Sequence, residues 1–134
     1  MNIYSGSKEA NGLAAALTNP TELAYRKGTL QHHYPLVFRG KRYADAEAAY
    51  QALKSGLTQR QRELLMTEIL VEKFKQYPRL FKAVTKRGGM KFLAACEHRT
   101  GKRSSVWEGR GRQSRFLKCL IDAYGILQTE LCAR

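Results

Sequence analysis

Apolar positions along the chain change their spacing several times, and each change marks an element. Residues 1–5 (MNIYS) alternate apolar and polar side chains and include Ile3 and Tyr4, which predicts a short strand stopping at Gly6. Residues 7–11 read as a loop, and the Ala-rich residues 12–17 as one or two helical turns. Asn19-Pro20 interrupts that run, because proline disfavours helical geometry in the residue before it. Pro20 then opens a second short helix over residues 20–26 from its first position. In residues 35–43, PLVFRGKRY, apolar stretches flank Arg39-Gly40-Lys41 and predict a tight hairpin with Gly40 at the turn.

Helical spacing dominates the rest. Asp45 supplies an N-cap for a helix from Ala46 to about Ser55, with Gly56 as its terminator. Thr58 and Gln61 make a capping-box pattern at the start of a long helix through Leu65, Ile69 and Phe74. Pro78 ends that helix and begins the next, which runs to Gly88-Gly89. Residues 90–97 fit a helix followed by a short strand, a choice that periodicity leaves open. From about Gln113, Phe116, Leu120 and Tyr124 share a stripe beside Leu117 and Ile121, as in an amphipathic helix. No repeat, low-complexity tract or linker divides residues 1–134, so the expectation is one α+β domain, mainly helical with a small β-sheet.

Composition narrows the classes. No apolar run approaches the roughly 20 residues that span a bilayer, and no signal-peptide pattern opens the chain. The expectation is a protein of the cytoplasm with no membrane partner. Cys96, Cys119 and Cys132 are odd in number and lack C-x-x-C spacing, so they read as reduced thiols. Cys96 and His98 would supply at most two metal ligands, and neither a metal nor a cofactor is expected. The formal charge of +13 favours anionic partners such as nucleotides or nucleic acid.

Three places offer chemistry. In the helix after Asp45, Glu47 and Lys54 are nearly eclipsed at about 100° per residue, with Gln51 between them and Tyr50 beside them. A solvated amphipathic helix presents the same pattern. The second place is Trp107-Glu108-Gly109-Arg110-Gly111-Arg112, a basic glycine loop running into the last helix. There the backbone amides and Arg110, Arg112 and Arg115 would meet phosphate oxygens. It matches neither a Walker loop nor a dinucleotide fingerprint, and an exposed basic turn has the same composition. The third is Trp107 itself, the only tryptophan, whose ring would either stack on a base or sugar or pack into the core. With no Ser-His-Asp or HExxH arrangement, an enzyme built from this chain works with Glu, Asp, Lys or Tyr.

Residues 36–54, LVFRGKRYADAEAAYQALK, resemble the core of the NADAR superfamily, where a G-x-x-[WY] hairpin leads to a helix reading S-E-x-x-[YF]-Q-A-x-K. Gly40 and Tyr43 match the hairpin, and Glu47, Tyr50, Gln51, Ala52 and Lys54 match the helix at the same spacing. Asn2-Ile3-Tyr4-Ser5 is similar to the family's opening I-x-F-Y-S strand, and Trp107-Glu108 to its W-G-[DE] element. The chain departs from the family after Gly12, where AAALTNPTEL replaces S-N-F, in residues 22–34, and after Trp107, where the later N-x-L-G is absent.

The resemblance implies an N-glycosidase that cleaves a ribose C1′–N bond in an ADP-ribose-like or phosphoribosyl ligand. ADP-ribosylated guanine in DNA or RNA and riboflavin-pathway intermediates are the family's substrates. It implies catalytic roles for Glu47, facing the developing ribose charge, and for Lys54, as nucleophile or as charged binding group. It also implies a binding role for Tyr4, Ser5, Tyr50, Gln51, Trp107 and Glu108, which join Gly109, Arg110, Gly111 and Arg112 of the basic loop as the expected binding residues. Two other classes stay open: a non-catalytic nucleotide or ADP-ribose module, and a basic nucleic-acid-binding or interaction protein.

Overall fold

Two 18-residue helices carry the core. The computed structural model describes residues 1–100 and 105–133. Helices α1 (Leu13–Ala16) and α2 (Thr21–Arg26) come first, after a 3₁₀ turn at Glu9–Gly12. The hairpin β1 (Leu36–Phe38) and β2 (Lys41–Tyr43) follows, then α3 (Ala46–Leu53), α4 (Gln59–Gln76), α5 (Pro78–Lys86) and α6 (Met90–Ala94). Strands β3 (Glu97–His98) and β4 (Gly109–Arg110) and a 3₁₀ turn at Gly111–Gln113 lead into α7 (Arg115–Cys132). The chain is α+β and mainly helical, with two separate antiparallel strand pairs among the described residues, β1–β2 and β3–β4.

Local chemistry explains most boundaries. Arg39 and Gly40 have φ of 50° and 77°, the left-handed pair that a two-residue hairpin turn requires. Thr58 and Gln61 form the reciprocal capping box at the head of α4, and Ser114 caps α7 by accepting from Leu117 N–H. Leu65, Ile69, Leu70 and Phe74 of α4 are buried with Phe116, Leu117, Leu120, Ile121 and Tyr124 of α7 in one hydrophobic cluster. Residues 90–97, ambiguous in sequence, resolve as a helix and then a strand. Among the described residues no helix is long and apolar enough to cross a membrane.

The expected strand over residues 1–5 is reduced to a single parallel bridge between Asn2 and Glu97. Ile3 N–H donates to Glu97 O and Glu97 N–H to Met1 O, but the ladder stops there. The next rung would join Arg99 N–H to the Ile3 carbonyl. Instead Arg99 N–H donates to Asn2 Oδ1, and His98 Nδ1 lies 2.6 Å from the Ile3 oxygen.

Candidate functional site

Asp45 fastens the front of α3. Its Oδ1 accepts from Ala48 N–H at 2.8 Å, and its Oδ2 accepts from Glu22 N–H at 3.0 Å, tying α3 to α2. Glu47 N–H donates to the Asn19 carbonyl, and the buried Lys73 ammonium donates to the neighbouring Thr18 carbonyl. The turn before α2 is thereby locked against the first turn of α3, which sets Asn19 beside Glu47.

From this frame, Glu47, Tyr50, Gln51 and Lys54 line a cavity of about 310 Å³. Trp107 closes it from the far end of the chain, with Asn19, Arg62, Met66, His98 and Phe116 completing the wall. Gln51 Nε2 donates to Glu47 Oε1 at 2.7 Å. Among the described residues neither Glu47 nor Lys54 enters an ion pair. The Lys54 ammonium instead sits 5.8 Å from the Tyr50 ring centroid, at the C-cap of α3. Burial pushes the Tyr50 phenol above its usual range, against the nearby Arg62 charge, so the hydroxyl keeps its proton and is a donor.

Sequence reasoning did not place Asn19, Arg62 or His98 in this site, since no spacing links them to α3. Asn19 is 4% exposed, and its Oδ1 has no hydrogen-bond partner among the described residues; its Nδ2 faces only the Met66 sulfur. Arg62 Nε is likewise buried and unpartnered. Each such atom costs about 1–3 kcal/mol unless a ligand group or a water satisfies it. His98 packs against the Phe116 ring at 4.7 Å between centroids. A carbonyl only accepts, so the contact with Ile3 O puts the proton on Nδ1 and leaves Nε2 as the acceptor of the neutral ring. Burial holds the imidazole below its ordinary 6.5, although the Ile3 carbonyl, Glu108 and Glu47 all favour the charged form.

The remaining sequence candidates lie elsewhere. Ser5 is buried and accepts from Lys27 Nζ, and neither it nor Tyr4 lines the cavity. Glu108 accepts from Thr100 N–H. Gly109, Arg110, Gly111 and Arg112 do not line the cavity either, and the expected anion cradle is filled by the chain itself. The first amides of α7 are taken: Arg115 N–H by Val106 O, Phe116 N–H by Trp107 O and Leu117 N–H by Ser114 Oγ. Arg112 pairs with Asp122, and Arg115 with Glu63. Gly111 serves packing, because a Cβ there would stand 2.4 Å from the Ala94 carbonyl oxygen.

Two other features compete for attention. Lys73 is 4% exposed and its amine is pushed down to about 7 by burial, a value suited to catalysis. It faces Thr18 and not the cavity, so its role is structural. A larger groove of about 760 Å³ runs beside α5, but no Asp or Glu lines it among the described residues. Among the described residues, a carboxylate, a neutral imidazole, two cations and an unpartnered amide converge only at α3. Compared with known proteins, the chain matches no family model, no curated protein and no solved structure.

Proposed function

We propose that the α3 cavity is the active site of an N-glycosidase that cleaves a ribose C1′–N bond in an ADP-ribose-like or phosphoribosyl substrate. ADP-ribosylated guanine in nucleic acid is one candidate, consistent with a cytoplasmic location and with the charge of +13. The observation that carries the proposal is the convergence of Glu47, Lys54 and Trp107 on one cavity that also holds the unpartnered Asn19 and Arg62 atoms. The NADAR resemblance of the α3 helix points the same way.

When the C1′–N bond breaks, the leaving nitrogen takes the electron pair and positive charge develops over C1′ and the ring oxygen. The half-buried Glu47 carboxylate, in no ion pair among the described residues, stabilises that charge. His98 Nε2 accepts from the attacking water or a ribose hydroxyl. Arg62 and Asn19 supply a donor fork and an amide for the polar edge of the ligand. At about 310 Å³ the cavity is at the small end for ligand sites, enough for a ribose and part of its base, with any diphosphate outside.

The test is base release, followed by chromatography, from an ADP-ribosylated guanine oligonucleotide and from phosphoribosylated small molecules. Glu47→Gln keeps size and hydrogen bonding but removes the charge, so it abolishes most turnover without unfolding the protein. Lys54 separates two mechanisms. A nucleophilic amine gives a borohydride-trapped sugar adduct that Lys54→Ala lacks, whereas a binding amine gives no adduct and a raised KM. Wild-type turnover in both variants would remove the catalytic assignment. Ligand binding with no release from any substrate would leave a non-catalytic nucleotide module.

A further inference from the structure

The groove beside α5 has no part in the chemistry above and shares no lining residue with the α3 cavity. One wall carries Tyr34, Tyr77, Arg79 and Lys82. From Tyr77 to Cys96 the sequence holds five cations, Arg79, Lys82, Lys86, Arg87 and Lys91, and no Asp or Glu. All five are exposed, and among the described residues none enters an ion pair. At about 100° per residue Arg79, Lys82 and Lys86 fall within about 60° of each other on α5, opposite the buried Leu80 and Val84. The other wall includes Ala10, Asn11 and Gly12, three successive residues with positive φ. Backbone of that kind costs about 1–2 kcal/mol per non-glycine residue and concentrates at ligand sites.

We propose that this groove binds single-stranded nucleic acid, its phosphates along the Arg79, Lys82 and Lys86 face and a base against the Tyr34 and Tyr77 rings. An unpaired, acid-free row of cations recruits a polyanion by releasing its counterions. The aromatic wall selects a strand whose bases are free to stack. A duplex keeps its base faces inside the stack and offers the rings nothing. A flat bilayer leaves a concave groove unfilled, and an acidic peptide satisfies the cations but not the tyrosines.

Fluorescence anisotropy with a labelled single-stranded oligothymidylate of about 12 nucleotides tests the proposal. Wild type binds, with affinity falling steeply as salt rises. The double variant Arg79→Glu/Lys82→Glu binds at least ~10-fold more weakly, with a log–log salt slope shallower by about 1.4, roughly 0.7 per lost phosphate contact. A variant with the same change in net charge at exposed positions outside the groove, Arg60→Glu/Arg110→Glu, retains most of the affinity, and Tyr34→Ala weakens binding without changing the slope. Glu47→Gln binds the oligonucleotide like wild type, so a failed groove and a failed glycosidase assignment give different results. Thermal melts check folding, and Lys82→Ala/Lys86→Ala provides a milder reading of the same face. Equal losses in the two charge-reversed doubles would reduce the effect to bulk charge and overturn the site. So would absent binding at low salt, or preference of the groove for duplex, phosphatidylserine vesicles or polyglutamate over the single strand.

Discussion

The rings of Tyr50 and Trp107 meet edge to face with centroids 5.7 Å apart, joining α3 to the segment before β4 across the candidate cavity. Such a pair contributes about 0.5–1.5 kcal/mol beyond its burial, and it holds Trp107 in the wall of the cavity that Glu47 also lines. Trp107 is the only tryptophan, so its emission reports on this cavity alone. Titration with ADP-ribose should shift or quench that emission, with Trp107→Phe binding more tightly than Trp107→Ala. Saturable binding by calorimetry with unchanged emission would place the ligand elsewhere.

His98 predicts a pH profile. Its neutral ring, protonated on Nδ1 by the contact with Ile3 O, is the form with a free acceptor. Burial lowers its pKa below 6.5 despite Glu108 and Glu47, so kcat/KM should stay level around neutrality and fall only on the acid side of 6.5. His98→Gln should remove that acid limb and lower the plateau. An acid limb surviving in the variant would transfer the titration to another group.

Lys73 predicts a stability profile of unusual sign. Its folded pKa of about 7 is below the ordinary 10.5, so above pH 7 the unfolded chain binds more protons than the native one. Stability therefore rises with pH from about 7, by at most about 1.4 kcal/mol per unit for one proton. Above pH 9 the buried Cys119 thiol, raised to about 11, opposes the trend because the unfolded state loses that proton first. Melting temperatures from pH 7 to 9 should climb in wild type and stay flat in Lys73→Met. A wild-type profile that falls across this range would contradict the burial of Lys73 as a near-neutral amine.

The glycine loop before α7 predicts a separation of fold from binding. Gly111 has φ of 52° and abuts the Ala94 carbonyl, so Gly111→Ala should destabilise the protein by at least about 2 kcal/mol in denaturant titration. Arg112→Ala removes an exposed pair with Asp122 and should change stability by less than about 1 kcal/mol. It should leave affinity for ADP-ribose within about threefold, since Arg112 does not line the cavity and the first amides of α7 are already bonded within the chain. A tenfold loss of affinity in Arg112→Ala would restore the loop to the binding site.

What could be read from the sequence was local. The Arg39-Gly40 turn, the Asp45 cap, the Thr58 and Gln61 box and the Pro78 break each depend on a few adjacent residues, and each appears where the spacing placed it. The clustering of Glu47, Tyr50, Gln51 and Lys54 was legible for the same reason, because one helical period orders them. Tertiary structure decided the rest. Asn19, Arg62, His98 and Trp107 reach α3 from four other segments, and nothing in their sequence separation encodes that meeting. The strand over residues 1–5 and the anion cradle failed for one shared cause. In each, another group of the chain took the backbone partner that local pattern had left free: His98 from across the sequence at the Ile3 carbonyl, and the Val106 and Trp107 carbonyls of the preceding loop at the first amides of α7. Local pattern fixes which polar groups a segment offers, whereas packing decides which of them remain open to a ligand.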